Sequence, residues 1–145
     1  MTEYLVPYAN AESEFEEKRS RFISHVFLVE SEAEARARID EMKKKYYDAR
    51  HNCWCFVLHD GTVRYGDDGE PQGTAGIPML EVFRRAGVTN VVCVVTRYFG
   101  GVLLGTGGLV RAYQGAVQAG LASSTIIDKK EGIQLTVGTD YTGLG

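Results

Sequence analysis

The chain has 145 residues, of which 44% are hydrophobic and 24% charged. That is the length of one compact domain burying roughly 68–70% of its unfolded surface, and the 10% aromatic content excludes a disordered chain. A net charge of −3 and a pI near 5.6 disfavour nucleic-acid binding through the overall field, leaving only a local basic patch open to that role.

The longest aliphatic stretch, around 91–95, falls far short of the ~20 residues of a spanning helix. Glu3, Glu12 and Glu14 stand where a secretory signal would be basic and then apolar. Cys53 and Cys55 lie two apart in what reads as a strand. Their Cα atoms would be about 6.6–7 Å apart, at the outer limit of a disulfide. With Cys93 they read as reduced thiols in a cytoplasm.

Residues 1–17 are polar and acid-rich and read as a lead-in. Residues 22–29, rich in β-branched and aromatic side chains, predict the first strand. Ser31 and Glu34 form a capping-box pattern, and Ala35, Ile39, Met42 and Tyr46 recur at helical spacing. Residues 53–58 predict a buried strand, turned at Asp60-Gly61 into a returning Val63-Arg64-Tyr65. A glycine-rich loop over 66–76 follows, then a helix from near Pro78 to Gly87. Residues 91–98 predict a core strand, and 100–108 a second glycine-rich loop. The next helix carries Leu109, Tyr113, Val117 and Leu121 on one stripe, and alternation over 133–137 predicts a half-buried strand.

This order predicts an α+β fold, a two-layer α/β sandwich with a four-stranded mixed sheet and its helices on one face. Strands 63–65 and 91–98 should run parallel, so both glycine-rich loops leave the sheet at one edge and form one composite site.

In the second loop, Gly107-Gly108 open a helix whose free amides favour an anion, with Arg97 before the loop and Arg111 after it. That pattern suits a phosphate or carboxylate pocket; equally, the glycines serve tight turns and the arginines pair with nearby Asp or Glu. No Lys-Ser/Thr follows as in a Walker A, and Val110 breaks a G-x-G-x-x-G.

In the first loop, Asp67, Asp68 and Glu70 suit Mg²⁺, a partner's Lys and Arg, or acid–base chemistry. Alternatively, Asp68 simply stabilises the turn. Gly73-Thr74-Ala75-Gly76 reads as an anion-binding nest or as a helix cap. His51, Cys53 and Cys55 share a strand face, but no fourth ligand closes a zinc site, and the apolar setting of the thiols argues for core cysteines. Lys43-Lys44-Lys45 beside Tyr46 and Tyr47 is most simply a solvated helix face, with a basic strip for RNA as the alternative.

Three motifs in order carry a resemblance to a family. They are Ala49-Arg50-His51-Asn52-Cys53; Asp67-Asp68-Gly69-Glu70-Pro71 with Gly73-Thr74-Ala75-Gly76; and Val95-Thr96-Arg97-Tyr98-Phe99-Gly100-Gly101 with Leu104-Gly105. Together, over roughly 18–121, they resemble the N-terminal domain of the YigZ/IMPACT family. The resemblance implies a ribosomal-protein-type fold like domain IV of the translocation elongation factor. It also implies a small ferredoxin-like second domain, so that 1–128 is the N-terminal domain and 129–145 the truncated start of the second, its opening strand at 133–141. Eukaryotic members regulate translation by competing for the activator of the amino-acid-starvation kinase. The motif residues carried over are His51, Asn52, Asp67, Asp68, Glu70, Gly73, Thr74, Arg97, Tyr98, Gly100, Gly101 and Gly105.

The expected function is a non-enzymatic, cytoplasmic binding or regulatory module linked to translation. It would use no cofactor or metal and have no catalytic residue or membrane contact. Its partner would be an RNA or a ribosome-associated protein, held through the motif residues together with Gly107, Gly108 and Arg111. The alternative is a metal-assisted phosphate-ester hydrolase, with Mg²⁺ on Asp67, Asp68 and Glu70, His51 as acid or base, and Arg97 on the phosphate. Oligomeric state is left open.

Overall fold

The computed structural model describes residues 5–7, 10–128 and 133–136. In chain order the elements are β1 (Leu5–Pro7), β2 (Ala11–Glu17), β3 (Ser20–Leu28), α1 (Glu32–Lys45), β4 (His51–Val57), β5 (Val63–Gly66), α2 (Gly76–Ala86), β6 (Val91–Tyr98), α3 (Gly105–Ala122), β7 (Thr125–Asp128) and β8 (Ile133–Thr136).

The main sheet has five strands in the order β2-β3-β6-β4-β5, and every neighbouring pair is antiparallel. This corrects the expected four-stranded mixed sheet. The extra strand is β2, taken from the acid-rich segment read as a lead-in. Its Glu12, Glu14 and Glu16 are exposed while Ala11, Ser13 and Phe15 are half-buried between them. That alternation makes a charged edge strand, which also discourages edge-to-edge pairing.

β6 is the middle strand, and Val91, Val92, Cys93, Val94 and Val95 are all fully buried. Val91, Cys93 and Val95 pack with α2 and α3, while Val92 and Val94 pack with α1 through Ile39 and Met42. The helices therefore cover both faces, not one. An unbroken apolar run has no wet side, so each face needs a cover. Ser31 caps α1, its Oγ accepting from Glu34 N at 3.2 Å, while Glu34 Oε1 reaches back to Glu30 N at 2.7 Å. Among the described residues, no helix is long and apolar enough to cross a membrane.

β5 and β6 are both antiparallel to β4, which lies between them, so they run in the same direction without pairing. The loops after them leave the same end of the sheet, as expected. The α1–β4 connection and the β2–β3 turn also lie at this end, since His51 is opposite Arg97 and Arg21 opposite Tyr98.

β7 and β8 form an antiparallel hairpin that β1 joins, and β1 also touches the main body through Thr89 N and the Leu5 carbonyl at 2.6 Å. This hairpin straddles the expected boundary at 128/129. Residues 137–141 of the expected opening strand lie outside the described residues.

Candidate functional site

The β5–α2 loop is organised by Asp67. Its Oδ1 accepts from Ala75 N at 3.2 Å and Gly76 N at 2.7 Å, and its Oδ2 accepts from Gly73 N at 2.9 Å. Of the two readings of 73–76, anion-binding nest or helix cap, the bonds match the cap, with the chain's own carboxylate as acceptor. It caps the positive end of α2, which has no other side-chain cap. Gly73 can turn its N–H toward Asp67 because its φ is +84°. Thr74 is buried and closes the turn on the Pro71 carbonyl with its N–H and its hydroxyl.

Asp68 faces β4. Its Oδ2 accepts from Asn52 N at 2.7 Å, and its carbonyl accepts from His51 Nδ1 at 2.9 Å. Asn52 is buried, donating to the Tyr46 carbonyl at 3.1 Å and accepting from Thr96 Oγ1 at 2.6 Å. These bonds fasten the α1–β4 connection to β6.

Glu70 turns inward. Arg97 Nη1 donates to its two carboxylate oxygens at 3.0 and 2.8 Å, and Tyr113 donates its hydroxyl to Oε2 at 2.5 Å. His51 Nε2 lies 3.5 Å from Oε1. Arg97 Nε donates to Ser20 Oγ at 3.3 Å. Cys53 Sγ lies 3.1 Å from the Asp67 carbonyl and 3.3 Å from the Tyr113 hydroxyl. Burial, reinforced by Cys53 and Glu70, pushes the Tyr113 phenol far above its ordinary range, so Tyr113 stays a donor. Burial pushes the Cys53 thiol up as well.

The three carboxylates thus diverge onto α2, β4 and the β6–α3 core. They do not converge as a Mg²⁺ triad, which corrects the geometry the hydrolase alternative required. Arg97 resolves to the pairing alternative, since its carboxylate is the chain's own.

Arg111 has no such pairing among the described residues. No side chain caps α3, and its first turn carries no acidic residue. A Cβ on Gly107 would lie 3.3 Å from Arg111 Nη1, so the guanidinium is folded back over the first turn. The exposed Arg111 makes no ion pair with any described residue.

The β2–β3 turn stands alongside. Lys18 and Arg19 occupy it at φ +46° and +70°, conformations that Asn and Gly adopt more easily. A Cβ on Gly100 would sit 2.1 Å from the Arg19 carbonyl, so only glycine lets the β6–α3 loop press against this turn. Glu17, Lys18 and Arg111 line a notch of about 200 Å³ together with Leu104 and Gly108. On the far side of Leu104 lies a cleft of about 380 Å³ with Arg97 and Phe99 in its lining.

The sheet end therefore gathers His51, Asn52, Asp67, Asp68, Glu70, Gly73, Thr74 and Arg97 into one bonded cluster. Beside it lie Gly100 and Gly101 in the β6–α3 loop, and Gly105, Gly107, Gly108 and Arg111 on α3. Tyr98 belongs to the α1 side, where it donates to Asp48 at 2.8 Å and packs edge-on to Tyr46. Lys43, Lys44 and Lys45 are exposed in the last turn of α1, where cations suit the helix dipole. Sequence reasoning missed Tyr113, Ser20, Lys18, Arg19 and Phe99. For Tyr113 a signal existed, because a tyrosine on a buried stripe needs a partner for its hydroxyl.

A model of the Impact N-terminal domain matches residues 18–121. The chain belongs to the IMPACT family. It is 43% identical over 144 residues to the IMPACT family member YvyE of Bacillus subtilis, covering 98% of this chain and 66% of that protein. The crystal structure of a hypothetical protein superposes with a TM-score of 0.84 at 39% identity, over 88% of this chain and 64% of that one. The structure of the two-domain translational regulator Yih1 superposes with a TM-score of 0.51 at 25% identity, over 81% and 48%. The chain thus spans about two thirds of YvyE's length.

Proposed function

We propose that this IMPACT-family chain is a regulatory binding module linked to translation, and that it grips RNA phosphate at the sheet end where its two glycine-rich loops emerge. The translational regulator Yih1 in the same fold supports the first half. The second half rests on one observation. Arg111 is folded over the uncapped, positive end of α3 and makes no ion pair with a described carboxylate, Glu17 being the one acidic residue among those lining the notch. Two like charges held together call for an anion from outside. The exposed Lys18 and Arg19 of the neighbouring turn add to the same field. A cation placed where the backbone is strained suits a functional contact. The unpaired, buried cysteines suit a reducing cytoplasm.

The test is co-sedimentation with ribosomes and RNA from bacterial lysate, comparing wild type with a Lys18→Gln/Arg111→Gln variant. Wild type should be retained at low salt and released as salt rises, and the variant should be lost at both. Retention that survives ribonuclease would indicate a protein partner and contradict the RNA assignment.

A further inference from the structure

Resting on that reading, we infer that the notch and the cleft together take a single unpaired nucleotide, with its phosphate at Lys18 and Arg111 and its base in the cleft beside Phe99. The two cavities adjoin, because Leu104 lines both. They differ in chemistry as the two ends of a nucleotide differ. The notch is small and holds two cations against one carboxylate, Glu17. The cleft is nearly twice as large, within the ~300–1,000 Å³ of small-molecule sites. Its walls are Phe99, Leu103, Leu104 and Leu109, with Arg97 also in its lining.

Phe99 is 36% exposed and Leu103 82%, so this apolar wall is open to solvent rather than closed by the chain. Arg50 lies over the Phe99 ring at 5.0 Å, giving the wall a cation–aromatic pair of the kind that stacks bases. Arg97 contributes polarity without a free charge. Its Nη1 is held by Glu70 and its Nε by Ser20, while Nη2 makes no hydrogen bond to a described residue. Arg50, His51 and Arg97 bring donors and Glu70 an acceptor to the cleft beside its apolar wall, a set that suits the polar edge of a base. A base can enter only when it is out of a stack, so single-stranded RNA is the strand form this site selects, and a free mononucleotide presents the same chemistry.

Fluorescence anisotropy with an unstructured RNA oligonucleotide, a duplex RNA, 5′-nucleoside monophosphates and inorganic phosphate tests this. The single strand should bind more tightly than the duplex, and the monophosphates should compete better than inorganic phosphate. Phe99→Ala should weaken the single strand by about 10-fold or more. Thr106→Trp, which fills the cleft from its exposed rim, should do the same, and neither should change duplex binding. A monophosphate that binds more tightly than any strand keeps the assignment and makes the free nucleotide its source. If both variants bind the single strand as wild type does, while Lys18→Gln/Arg111→Gln still abolishes binding, the base site is refuted and the phosphate contact stands. If the cation variant also leaves binding unchanged, or if no RNA binds, both readings fall.

Discussion

Arg97 and Glu70 form a buried ion pair at the end of the central strand. One guanidinium nitrogen donates to both carboxylate oxygens, with side-chain exposures of 6% and 2%. Tyr113 and His51 bring α3 and β4 to the same carboxylate, so the pair joins the first loop, the sheet and α3. Glu70→Gln removes the counter-charge from a buried arginine and should cost about 3–5 kcal/mol in urea unfolding. Arg97→Ala should cost a similar amount, which makes it a probe of folding and a poor probe of binding.

Asp67→Ala strips three amides at the start of α2 of their acceptor. It should destabilise the chain by about 1–3 kcal/mol and speed amide exchange at Gly73, Ala75 and Gly76. Asp67→Asn keeps an acceptor oxygen and should lose less. Mg²⁺ should not stabilise wild type against urea beyond the effect of matched ionic strength, because Asp67 already serves these amides.

All three cysteines are buried, and burial raises each thiol, that of Cys93 to about 12. Native protein at pH 8 should therefore resist iodoacetamide, and all three should alkylate in denaturant. Rapid native labelling of Cys53 would mean that the Tyr113–Asp67 enclosure opens readily.

His25 is 6% exposed, and its Nδ1 has no hydrogen-bond partner among the described residues. Burial lowers its pKa below the ordinary value of 6.5, against the opposing pull of Glu12. The unfolded chain then binds the proton more readily. Stability is full above about 6.5 and declines as pH falls through that value toward the lower folded one. Thermal melts from pH 7.5 to 5 should show a decline that is shallower in His25→Phe.

The buried run at 91–95, the Ser31 cap and the Gly87 stop were readable because each is a local signal. The meeting of both loops at one sheet end followed from chain direction alone, and it survives even though β4 separates the two strands. β2 escaped notice because its every-second Glu pattern has few apolar residues to announce a strand, and its turn is Lys18-Arg19 instead of Asn-Gly. α1 on the second face was implied by the unbroken valines of β6. The fates of Arg97 and Arg111 were not legible, because Glu70 becomes a partner of Arg97 only through a contact spanning 27 residues of sequence.

The most direct test of the central claim is the salt dependence of RNA binding by wild type and Lys18→Gln/Arg111→Gln. If this sheet end grips phosphate, log K should fall linearly with log salt. The double variant should bind more weakly to every sequence, with a slope shallower by about 2. Equal affinities and equal slopes would contradict the account.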